Sequence, residues 1–191
     1  YSLNDVVLTG TNIFTGNTDS GVYAEATGNI EAENVTASSN DGNGAEFNSL
    51  NDVILTGTNE FRDNANSGLY VETGNNIDAE NITANGNGGS GAELYSVSDV
   101  TVSGTNVFND NTDSGLYAES DGDINAENIT ANRNGINGAE LYSSGVTLNG
   151  TNIFTGNEYS GLYVEAGSDI YIENITADGN GASGIYGSGV E

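Results

Sequence analysis

The chain has 191 residues and a formal net charge of −26, from 28 acidic side chains against two basic ones, Arg62 and Arg133. That balance argues against a nucleic-acid partner and against electrostatic attachment to anionic lipid, because both need clustered Lys and Arg. Cys and His are absent, which removes disulfides and Ser–His or Cys–His nucleophiles and restricts any metal site to oxygen ligands of the kind that bind calcium.

From the first residues the chain reads as a repeat. A first type of coil starts at Asn4-Asp5-Val6-Val7-Leu8 and recurs from Asn51, Asp99 and Gly145; a second starts at Gly28-Asn29-Ile30-Glu31-Ala32 and recurs from Asn76, Asp123 and Asp169. Timed on Val6, Val53, Val100 and Val146, the double repeat has steps of 47, 47 and 46 residues. Each pair divides into two coils of 23 or 24 residues, so eight coils fill residues 1–191 as one β-solenoid domain. Within a coil the pattern has period two. Val6 and Leu8 share one face and Val7 and Thr9 the other, while Ile30 and Ala32 are expected inside and Glu31 and Glu33 outside. The 28 glycines, with frequent Asn and β-branched residues, disfavour helix. No apolar run is long enough to span a bilayer.

Each coil also carries an Asn followed four residues later by Gly. The eight asparagines are Asn17, Asn40, Asn64, Asn87, Asn111, Asn134, Asn157 and Asn180, and their recurrence predicts a structural ladder at a corner. Three residues before them stand Phe14, Ala37, Phe61, Ala84, Phe108, Ala131, Phe154 and Ala177, large alternating with small, as a narrow packed tube requires. Asn34, Asn81, Asn128 and Asn174 sit in Asn-x-Thr triplets and are expected at a second corner.

The Asn-x-x-x-Gly-(Val/Leu/Ala) frame, with the Asn-Ile-Thr-Ala-x-x-Asn run at Asn81 and Asn128, resembles the right-handed parallel β-helix repeats of the pectin-lyase-like superfamily and of large bacterial surface proteins. The resemblance covers essentially the whole chain. It implies an all-β, right-handed parallel β-helix and an extracellular or cell-surface setting, and it leaves activity open, because the fold hosts lyases, hydrolases and passive adhesins alike.

Two outward columns follow each Gly. The first carries Tyr23, Glu46, Tyr70, Glu93, Tyr117, Glu140 and Tyr163, and the second Glu25, Glu72, Tyr95, Glu119, Tyr142 and Glu165, with Asn48 between Glu25 and Glu72. This is a checkerboard of Tyr and Glu. As a plain surface it keeps like charges apart on adjacent strands; as a contact face it offers flat rings and hydroxyl handles to sugars or to another protein. Glu119, Asp121 and Asp123 form a minor candidate for calcium, away from the regular EF-hand spacing. The outward Glu31, Glu33, Asp78, Glu80, Glu127 and Glu173 recur only in every second coil, too far apart for one ion.

Neither arginine has a distinctive acidic cluster in its own coil, and no coil breaks the pattern as an active-site loop would. The expectation is therefore a non-catalytic structural or adhesive rod or filament component, without a resident cofactor. The alternative is a polysaccharide-binding or polysaccharide-degrading β-helix, a lyase or glycoside hydrolase, working through the Tyr/Glu face. Both ends match internal repeats and show no polar cap: residues 1–6 match 95–100, and 185–190 match 141–146. That predicts either a segment of a longer array or self-association, end to end or side by side.

Overall fold

Alternation of apolar and polar residues in runs of two to five, broken by Gly, Asn, Asp and Ser, produces 24 short strands in the computed structural model, which describes residues 1–189. Val190, part of the expected C-terminal repeat match, lies outside the described residues. The strands are dealt in rotation to three parallel eight-stranded sheets. Sheet I collects the strands beginning with Val6–Leu8, Ile30–Glu33 and Val53–Thr56. Sheet II collects Asn12–Thr15, Val35–Ser38, Asn59–Arg62 and their successors, and sheet III collects Val22–Ala26, Ala45–Ser49, Leu69–Thr73 and theirs. Every third strand pairs with its counterpart one coil on, so the backbone winds as a coiled tube of eight turns. The pairing is in register throughout: Val6 faces Ile30, Phe14 faces Ala37 and Val22 faces Ala45.

The inward residues of the three sheets fill the tube. Phe61, Phe108 and Phe154 are fully buried, as are Ala37, Ala84 and Ala131, which alternate with them in the column. Phe14, in the first coil, is only partly covered. Val7, by contrast, faces out and is 53% exposed.

Corners need backbone that turns sharply without losing its ladder. The residue before each ladder Asn has positive φ in all eight coils, whether it is Gly16 or Gly86 or one of Ser39, Asp63, Asp110 and Arg133. At the corner between sheets I and II the first-type coils turn at Gly10, Gly57, Gly104 and Gly150, and the second-type coils at Asn34, Asn81, Asn128 and Asn174. Asn and Gly tolerate this left-handed conformation better than other residues do.

The Gly of the repeated frame is required for a different reason. A Cβ built on Gly115 would stand 2.6 Å from the carbonyl oxygen of Gly138 and 2.8 Å from Asn134 Nδ2. Only a residue without a side chain lets the next coil approach that closely.

Candidate contact face on sheet III

Three polar columns run along the tube and satisfy the polar groups of its corners and strand ends. The first is the asparagine ladder between sheets II and III. The Nδ2 of Asn64 donates to Asn87 Oδ1 at 3.0 Å and to the Ala37 carbonyl at 3.1 Å, while Asn64 Oδ1 accepts from the Asn40 backbone N–H and from Asn40 Nδ2. The same set repeats from Asn17 to Asn180.

Sequence reasoning missed a second buried column. Asn59, Asn106 and Asn152 are wholly buried at the start of sheet II, each bonded to carbonyls of its own and the next coil. Their neighbours in the column are Val35, Ile82 and Ile129, so like does not follow like. The Asn-Ile/Val alternation was the available signal. A third column, Ser49, Thr73, Ser96 and Ser120, ties the end of sheet III to the turn of the preceding coil, through donation to the carbonyls of Gly28, Asn51, Asn75 and Ser98. Among the described residues no buried side-chain nitrogen or oxygen lacks a partner.

The outward acids of the second-type coils also have local partners. Glu33, Glu80 and Glu127 accept from the backbone N–H of Gly10, Gly57 and Gly104, and Asn34, Asn81 and Asn128 donate to the carbonyls of the same glycines. These carboxylates cap corners.

On the outer face of sheet III the register sets Tyr23 against Glu46, Glu46 against Tyr70, Glu93 against Tyr117 and Glu140 against Tyr163, with Tyr95 between Glu72 and Glu119 and Tyr142 between Glu119 and Glu165. The rings, however, do more than separate carboxylates. They lean across the two columns and meet: Tyr70–Tyr95 5.5 Å, Tyr95–Tyr117 5.5 Å, Tyr117–Tyr142 5.6 Å and Tyr142–Tyr163 5.5 Å between centroids, all tilted. Tyr163 and Tyr186 stack at 4.9 Å. Six rings thus form one continuous ladder, in the tilted or offset geometries that aromatic quadrupoles favour.

From Tyr23 to Tyr163 each hydroxyl is tethered to a carboxylate two residues away on its own strand. Tyr70 donates to Glu72 at 3.1 Å, Tyr117 to Glu119 at 3.0 Å and Tyr95 to Glu93 at 3.2 Å. Tyr23 donates to Glu25, Tyr142 to Glu140 and Tyr163 to Glu165. Burial among the other rings, then the neighbouring carboxylates, push Tyr70 and Tyr142 up to about 12. The same causes raise Tyr95 and Tyr117. An unfolded tyrosine ionises near pH 10. Because the folded values lie above that, their contribution to stability is complete below pH 10 and is lost as pH rises through 12. Thermal melts should therefore be insensitive to these groups up to pH 10 and fall steeply between pH 10 and 12. A melting temperature constant across that window contradicts the tethered ladder.

Glu119 and Asp121 share the rim of one shallow cleft with Tyr95, whereas Asp123 opens the next strand, in sheet I. Among the described residues no three acidic side chains converge in a way that could hold a metal ion. Arg133 reaches across one coil to Asp110 in a two-pronged pair, 2.7 Å for each prong, and Arg62 pairs with Glu60.

Three parallel sheets wound into one tube, with an asparagine ladder at a corner, define a right-handed parallel β-solenoid. The chain belongs to the family described as the right handed beta helix region, whose model matches residues 4–150. No curated protein and no solved structure matches it.

Proposed function

We propose that this chain is a non-catalytic rod segment of an exported or cell-surface protein, and that the Tyr/Glu strip of sheet III is its adhesive contact face. The observation that carries this reading is the ring ladder from Tyr70 to Tyr186. Charge spacing alone needs no contact between rings, and threonine would fill the same strand positions as well. A row of rings fixed by mutual contact and by hydroxyl tethers is already ordered, so a partner laid along it loses little side-chain freedom. The remainder of the coil supports a scaffold role: the connections from sheet II to sheet III are held to six residues in most coils, as at 16–21 and 39–44. Chemistry on such scaffolds tends to reside in longer, irregular loops.

The test is a triple variant, Tyr95→Thr, Tyr117→Thr and Tyr142→Thr, compared with the parent chain for retention on cells and on immobilised polysaccharides. Retention should fall by about tenfold or more, since aromatic residues dominate contact energies, with the β-sheet circular-dichroism spectrum preserved. Equal retention of parent and variant, or turnover of a polysaccharide by the parent chain, refutes the proposal.

A further inference from the structure

We propose that the single interruption in the tyrosine ladder is a notch for one sugar ring, either uncharged or amine-bearing, and that acidic sugars are excluded from it; this deepens the contact-face reading and rests on it. Tyr95 bridges Tyr70 and Tyr117, and Tyr142 bridges Tyr117 and Tyr163. The equivalent bridging position two coils before Tyr95 is Asn48, paired in register with Glu25 and Glu72. Among the described residues Tyr23 meets no other ring, and Tyr70 meets one only, on the side of Tyr95. The face of Tyr70 turned toward coil 2 and the ring of Tyr23 are thus the uncovered ends of an incomplete stack.

An open cleft of about 470 Å³ occupies this place, with Tyr1, Tyr23, Tyr70, Glu25, Glu46 and Glu72 in its lining and Asn48 among them. Tyr23 and Tyr70 are two coils apart, roughly 9.5 Å by strand spacing, the same span that the ring of Tyr95 bridges between Tyr70 and Tyr117. A pyranose inserted there lays its C–H faces against two aromatic faces, the contact that tyrosine offers to sugars.

The polar groups set the sign of the ligand. Glu46 is engaged only by long contacts, from Asn43 Nδ2 at 3.3 Å and Asn48 Nδ2 at 3.4 Å, and Glu25 and Glu72 each take one tyrosine hydroxyl at 3.1 Å. Carboxylates accept and do not donate, so the guest must bring hydroxyl or ammonium hydrogens. No Lys or Arg lines the cleft. A uronic acid would meet three negative charges with nothing to neutralise its own. A basic polypeptide is favoured by charge but not by shape. Its lysines would find glutamates in almost every coil of the strip, whereas the ring-thick slot exists at coil 2.

The experiment is calorimetric titration of the full chain with four soluble probes: a neutral cello-oligosaccharide, a chitosan oligomer, an oligogalacturonate and oligolysine. The neutral or the amino oligosaccharide should bind, with oligogalacturonate at least about tenfold weaker. Asn48→Tyr completes the ladder, at a position whose equivalents already hold Tyr95 and Tyr142, and should weaken sugar binding about tenfold or more. Tyr171→Thr, an exposed ring on the outer face of sheet I and outside the tyrosine ladder, should leave it within about twofold. Unchanged binding by Asn48→Tyr, equal affinity for oligogalacturonate, binding of oligolysine alone, or no binding of any probe overturns the notch. If sugar binding falls in the triple strip variant but not in Asn48→Tyr, the notch fails while the contact face stands. If Asn48→Tyr abolishes sugar binding while the triple strip variant still adheres to cells, the Tyr95–Tyr142 part of the contact face fails and sugar recognition is confined to coil 2.

Discussion

Asn111→Ala is expected to lower the stability of the chain by about 4 kcal/mol, a fall in melting temperature of roughly 8–16 °C for a protein of this size. The side chain is buried and makes four hydrogen bonds. Its Nδ2 donates to Asn134 Oδ1 at 3.1 Å and to the Ala84 carbonyl at 3.0 Å, and its Oδ1 accepts from the backbone N–H and the Nδ2 of Asn87, both at 3.0 Å. Alanine removes all four and leaves the Asn87 N–H and the Ala84 carbonyl without these partners in a dry corner. An orphaned buried group costs about 1–3 kcal/mol, more than the net worth of the bond it lost. Asn125 is also an asparagine in a strand, but its side chain is exposed. Asn125→Ala should change stability by no more than about 0.5 kcal/mol. Chemical denaturation of the two variants side by side measures the difference, and similar losses would mean that the ladder carries no particular weight.

The second large effect is expected from Phe108→Ala, at about 3–5 kcal/mol. Phe108 is fully buried, as are Ala84 and Ala131 in the coils on either side. Because the small neighbours belong to the same column, nothing in that layer is long enough to move into the space that a lost ring leaves. A cavity that cannot collapse falls at the upper end of the range. Phe14→Ala should cost clearly less, since Phe14 sits in the first coil and is only partly covered. Equal losses at the two positions would contradict the alternation of large and small as the packing device.

Much of the fold is legible in the residues because a solenoid repeats its physics. Val6, Ile30, Val53 and Ile77 mark one inward column, and Asn17 through Asn180 mark one corner, by recurrence alone. What stayed hidden depends on side-chain direction across coils. Asn59, Asn106 and Asn152 are separated in their column by Val35, Ile82 and Ile129, so a search for like residues passes over them. Glu33, Glu80 and Glu127 alternate outward as any solvated acid would, and only the fold brings them within hydrogen-bonding reach of the glycine amides of the preceding coil. On sheet III the checkerboard of Tyr and Glu is plain in the sequence. The ring contacts are not, because they arise from tyrosines in different columns leaning toward one another. For the same reason Asn48 reads as one irregular residue in the sequence and becomes part of the lining of a cleft once the rings are placed.

The central physical claim is that columns running along the axis, rather than any single coil, hold the molecule together and keep its outer strip rigid. Amide hydrogen exchange followed by NMR tests it most directly, read at the side-chain NH₂ groups of Asn64, Asn87, Asn111 and Asn134. The account predicts that these protons exchange only with global unfolding, orders of magnitude more slowly than those of exposed Asn125. Exchange of the ladder amides at the rate of Asn125 would contradict it.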